Sequence, residues 1–125
     1  MITIKTIIRL HELSIINFGG SQGIRDPGLM ESAIARLYQT FGGEYLYPTV
    51  FEKAAALVES IITNHPFIDG NKRTGFLSML LILELENFKI TASNDATYNF
   101  TIQISTGEIK FEEIVLWLKN NTAMI

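Results

Sequence analysis

The chain has 125 residues, 47% of them hydrophobic, with a net charge of −3 and no cysteine. That length supports one compact domain over residues 1–125 and is too short for two. The acidic balance argues against direct nucleic acid binding as the main task, and the lack of cysteine removes disulfides, thiolate catalysis and sulfur-ligated zinc.

Lys5, Arg9, His11 and Glu12 interrupt the apolar N-terminus, so no secretory leader is expected. The most apolar run, FLSMLLILELENF, is shorter than a bilayer-spanning helix and carries Glu84 and Glu86, so no membrane association is expected. A cytoplasmic location is the natural expectation.

Ile4, Ile7, Ile8, Ile15 and Phe18 recur near helical spacing and predict a first helix ending at Gly19 and Gly20. Asp26 before Pro27 predicts the capped start of a second, ending near Tyr38. The glycine- and tyrosine-rich GGEYLYP is the only segment with extended or hairpin character. Ala54, Ala55, Val58, Ile61 and Ile62 share one face of a third helix, which Pro66 should end at about His65. A fourth runs from Gly70 to about Asn87, apolar on every side, which predicts the buried centre of the domain. Two more are expected over about 95–105 and 111–120. The sum is an all-α bundle around a central buried helix, with a short extended flap.

Between the third and fourth helices lies TNHPFIDGNKRTGF. The first N–H groups of a helix lack internal acceptors and the peptide dipoles add positive potential there, so NKRT at a helix start is a ready anion site. Gly70 lets a ligand approach the backbone, Asn71 adds neutral hydrogen bonding, and Lys72 and Arg73 add cations. Asp69 offers the hard oxygens that magnesium takes alongside substrate phosphates. His65 is the one side chain nearby whose imidazole suits proton abstraction from a hydroxyl. Singly, each has an ordinary reading as a turn, a helix end or a solvated charge. Together they point to phosphoryl or nucleotidyl transfer, although the spacing is not that of a Walker A loop.

HPFIDGNKRTGF resembles the signature of the Fic/Doc family, H-P-F-x-[DE]-G-N-G-R, with His65, Pro66, Phe67, Asp69, Gly70, Asn71 and Arg73 all fitting. Lys72 departs from the glycine of the adenylylating branch and matches the death-on-curing (Doc) branch. GGSQGIRDPGLMESAIARL and STGEI are similar to other Doc blocks, so the resemblance covers essentially the whole chain. It implies a Fic/Doc-type helical bundle in which His65 is the general base, Asp69 holds Mg2+, and Gly70, Asn71, Lys72 and Arg73 bind the phosphates of ATP. Phe67 would anchor the loop in the core. The resemblance also implies that Gly43, Glu44, Tyr45 and Leu46 form a flap that pairs with target backbone.

The activity so implied is transfer of the γ-phosphate to a hydroxyl of elongation factor Tu, with arrest of translation; the alternative is AMP transfer. The inhibitory helix of Fic proteins, [ST]-x-x-x-E-[GN], has no match, since TFGGEY ends in tyrosine and carries two glycines. A separate Phd-like antitoxin is therefore the expected partner. A non-catalytic phosphate sensor is disfavoured by the retained His65, a helix-turn-helix repressor by the acidic balance, and a nucleotide-free metalloenzyme by the want of a third ligand.

Overall fold

The computed structural model describes residues 1–125 and contains six helices: α1 (Ile4–Phe18), α2 (Pro27–Leu37), α3 (Val50–Asn64), α4 (Asn71–Leu85), α5 (Asn94–Thr106) and α6 (Phe111–Asn120). The all-α expectation holds, with boundaries within a residue or two of those expected. The starts are chemical. Thr3, Asp26, Thr49 and Ser93 each accept a backbone N–H from the first turn of α1, α2, α3 and α5. At α6, Glu113 reaches back to the Lys110 N–H.

The centre of the bundle is α3. It packs against α2, α4, α5 and α6, and Ala54 through Val58 are all buried. This differs from the expectation that α4 would be the innermost helix. On α4, Leu77, Leu80 and Leu81 are half-buried and Leu85 is 58% exposed. Three consecutive alanines let neighbours approach α3 from every side, whereas the bulk of the leucines on α4 says nothing of what covers them. One core joins the elements, with Ile7, Met30, Leu37, Leu57, Phe67, Met79, Leu83, Phe100, Ile104 and Ile114 fully enclosed.

Strands β1 (Thr40–Phe41) and β2 (Glu44–Tyr45) pair antiparallel across Gly42 and Gly43, both at positive φ, confirming an extended hairpin. A second sheet, β3 (Phe88–Ile90) with β4 (Thr122–Met124), was not expected. Its strands are three residues long and pair Phe88 with Met124, a contact that no local pattern announces. No helix is long and apolar enough to cross a membrane.

Candidate active site

The motif loop joins two antiparallel helices at one end of the bundle, and residues 23–26 hold it from outside. The N–H groups of Arg25 and Asp26 donate to the Pro66 carbonyl at 2.8 and 3.0 Å, and the Ile68 N–H donates to Gly23 at 3.1 Å. Ile24 and Phe67 form an antiparallel bridge. Phe67 itself is buried, as expected of a core anchor, with its ring stacked 3.9 Å from that of His11.

His65 caps α3 in the left-handed region, at φ 53 and ψ 62. Pro66 disfavours right-handed helical geometry there, and a non-glycine residue adopts positive φ only under constraint. The imidazole is exposed and makes no hydrogen bond within the protein. Gly70, at φ 77, starts α4 with no side-chain cap, unlike the capped starts of α1, α2, α3 and α5. The first intrahelical bond runs from the Thr74 N–H to the Gly70 carbonyl, so the N–H groups of Asn71, Lys72 and Arg73 have no helical acceptor. The positive end of the helix dipole is thereby left open.

A cavity of about 730 Å³ brings these groups together, lined by His65, Asp69, Gly70, Asn71, Lys72 and Arg73 on one side. Its opposite wall is α5, with Asn94, Thr97, Tyr98, Thr101 and Ile102. None of the α5 residues was singled out from the sequence. Their period-four spacing (94, 97–98, 101–102) marks one helix face, but nothing local says that this face meets the loop.

Asp69 is anchored on both oxygens: Oδ2 accepts the Ser21 N–H at 3.1 Å and Oδ1 the Gly70 N–H at 2.9 Å. Each oxygen keeps a lone pair, which fits a single magnesium ligand. No group of three acidic, histidine or cysteine side chains could hold an ion alone, so an ion here would complete its shell with substrate phosphates and water. Lys72 is exposed and free of any ion pair, as a phosphate contact requires.

Two expected phosphate ligands have other work. The Asn71 side chain is buried, with Oδ1 accepting the Phe67 N–H at 2.9 Å and Nδ2 donating to the Phe67 carbonyl at 3.0 Å. Only its backbone N–H is left for a ligand, because the side chain closes the loop on itself. Arg73 reaches across to α1, where Nη1 donates to the carbonyls of Ser14 at 3.2 Å and Gly19 at 3.4 Å, and the guanidinium lies 5.2 Å from the Phe18 ring centroid. The negative end of α1 draws it there. Its Nε and Nη2 are left to meet an anion.

The hairpin carrying Gly43, Glu44, Tyr45 and Leu46 is not brought to this cavity, and none of its residues lines it. It precedes the start of α3, whereas His65 caps the far end of that fifteen-residue helix. The sequence also gave no role to His11, which is 2% exposed and donates from Nε2 to the Asp69 carbonyl at 2.8 Å. A carbonyl only accepts, so Nε2 carries the proton.

A family model described as the Fic/DOC family matches residues 1–83. The chain is 40% identical over 80 residues to Toxin Doc of Mycolicibacterium smegmatis, covering 64% of this chain and 62% of that protein. It is 31% identical over 110 residues to Protein kinase doc of Escherichia phage P1, covering 88% of this chain and 86% of that one. The matched stretch is thus under two thirds of the mycobacterial protein and most of the phage protein. Both names agree with the branch to which Lys72 points.

Proposed function

This chain belongs to the Fic/DOC family, and from that premise we propose that residues 1–125 act as a single Doc-type toxin domain transferring the γ-phosphate of ATP to a hydroxyl of a protein target. The observation that carries this reading is the meeting, in one cavity, of the left-handed His65, the uncapped start of α4 and the unpaired Lys72. Polyphosphate lies against the free N–H groups of Asn71, Lys72 and Arg73, where the helix dipole and the Lys72 ammonium offset its charge. The nucleoside half extends toward Tyr98 and Ile102 on α5.

His65, as a neutral imidazole, takes the proton of the target hydroxyl while that oxygen bonds to the γ-phosphorus. The bond from this phosphorus to the bridging β–γ oxygen breaks, and ADP leaves. A magnesium ion held by Asp69 would offset phosphate charge in the bound complex. Lys72 stands where the adenylylating branch has glycine, and its side chain fills space in which phosphate would otherwise lie against bare backbone. That difference favours γ-phosphate over AMP transfer. By family resemblance, the target is elongation factor Tu and a Phd-like antitoxin restrains the toxin in the cell.

The test is incubation of the protein in a bacterial lysate with ATP labelled separately at the α- and γ-phosphorus, followed by mass analysis of the labelled protein. Label from the γ-position alone, lost in His65→Ala, is the expected result. Label from the α-position would establish AMP transfer in its place, and undiminished labelling by His65→Ala would remove the base from its role.

A further inference from the structure

The carbonyls of Asn64, His65 and Pro66 are three successive acceptors, and Arg25 with its neighbour donates to all of them. The Arg25 side chain donates from Nε to the His65 carbonyl and from Nη2 to the Asn64 carbonyl, both at 2.7 Å. Its backbone N–H and that of Asp26 take Pro66. These side-chain bonds are short, as expected of a charged donor, and the guanidinium sits at the negative end of α3.

The geometry points to Arg25 as the positioning residue for His65, an inference that rests on reading His65 as the base. Pro66 disfavours the right-handed helical region for His65, so the main competing conformation is extended. Reaching it rotates φ from the positive to the negative side and swings the imidazole away from its present direction. Successive carbonyls of an extended chain point opposite ways, so one guanidinium edge cannot hold both. The paired bonds therefore select the left-handed state that aims His65 into the cavity.

Arg25 is separable from the other restraints on the loop. The Ile24–Phe67 bridge, the Ile68 to Gly23 bond and the Asn71 to Phe67 pair do not involve its side chain. Its guanidinium bonds only to the two carbonyls at the end of α3. Removing it leaves the phosphate cradle standing and frees the imidazole.

The experiment compares the full chain with Arg25→Ala and Arg25→Lys, measuring turnover, affinity for ATP with magnesium by calorimetry, and the ring resonances of the two histidines by nitrogen-15 NMR. In Arg25→Ala, kcat should fall on the order of 10²-fold, the cost of misplacing a reacting group by about 1 Å, with ATP affinity unchanged. Arg25→Lys, keeping one bond, should fall between; it alone is read if the alanine variant does not fold. The His65 signals should move while those of His11 stay, and Arg25→Ala should add nothing in a His65→Ala background. Retained kcat, a parallel loss of ATP affinity, or unmoved His65 signals would overturn the inference. Should the wild type transfer no phosphate or nucleotide at all, the proposed function fails, and the His65 resonances alone decide the positioning claim.

Discussion

The Asn71 side chain grips the Phe67 backbone at both ends, accepting its N–H at 2.9 Å and donating to its carbonyl at 3.0 Å. A buried amide that matches a peptide group donor for acceptor acts as a cross-brace for the bend between α3 and α4. Asn71→Asp swaps the donor for an oxygen that faces the Phe67 carbonyl. It should destabilise the protein by about 2–3 kcal/mol, the cost of an unsatisfied and repelled buried group, read as a lower urea midpoint. An unchanged midpoint with weakened ATP binding would instead make the side chain a phosphate ligand.

His65 occupies a conformation that L residues avoid. His65→Gly should therefore raise stability by up to about 1 kcal/mol, the strain of a left-handed non-glycine residue, or several degrees in Tm for a domain of this size. The same change should abolish transfer. A lower Tm would show that the side chain contributes more to the fold than its backbone costs.

Gly20 lies where a Cβ would meet Asp69 Oδ2 at 2.7 Å and Ile15 Cδ1 at 3.0 Å, and its φ of +115 disfavours any side chain. Gly20→Ala should displace the Asp69 carboxylate and weaken magnesium-dependent ATP binding by about tenfold, equivalent to 1.4 kcal/mol. ATP titrations with and without magnesium distinguish this from general damage. A magnesium enhancement equal to that of the wild type would mean that Asp69 does not hold the ion.

Tyr38 ties α2 to the N-terminus, its hydroxyl accepting the Ile2 N–H at 2.9 Å and donating to the Ile2 carbonyl at 3.3 Å. Burial pushes its phenol above the usual value of 10.0. A group whose pKa is higher folded than unfolded contributes stability fully below the unfolded value, and loses it as pH climbs through the folded one. Tyr38→Phe should cost about 1 kcal/mol near neutrality and show a shallower fall of stability above pH 10 than the wild type. Parallel alkaline curves for the two proteins would refute the assignment.

The start of α2 was legible because its chemistry is local: Asp26 and Pro27 declare it in adjacent residues. The glycine pair declared the hairpin in the same way. The motif loop was legible as a set of residue types, but the division of labour inside it was not. Asn71 and Arg73 have the right chemistry for phosphate, and only the folded chain shows the Phe67 backbone and the end of α1 drawing their side chains away. His11 left one readable mark. It stands four residues after Ile7 and four before Ile15, on the buried stripe of α1, where a histidine needs a partner. The α5 wall left none, since Tyr98 and Thr101 meet the loop only through the packing of α5 on α3 and α4.

Within itself the bend after His65 has only the Asn71 brace on Phe67 and the Asp69 to Gly70 contact; its other restraints come from far along the chain. Its carbonyls answer to Arg25, forty positions earlier, its aspartate to Ser21, and the Asp69 carbonyl to His11, fifty-eight positions earlier. Contacts that distant carry a loop-closure cost that only the docking of their helices offsets. A synthetic fragment spanning residues 60–80 should therefore coil into partial helix by circular dichroism yet remain blind to ATP; measurable binding by it would mean the cradle is self-made. Nucleotide recognition here belongs to the finished tertiary structure, however short the string of letters that first betrays it.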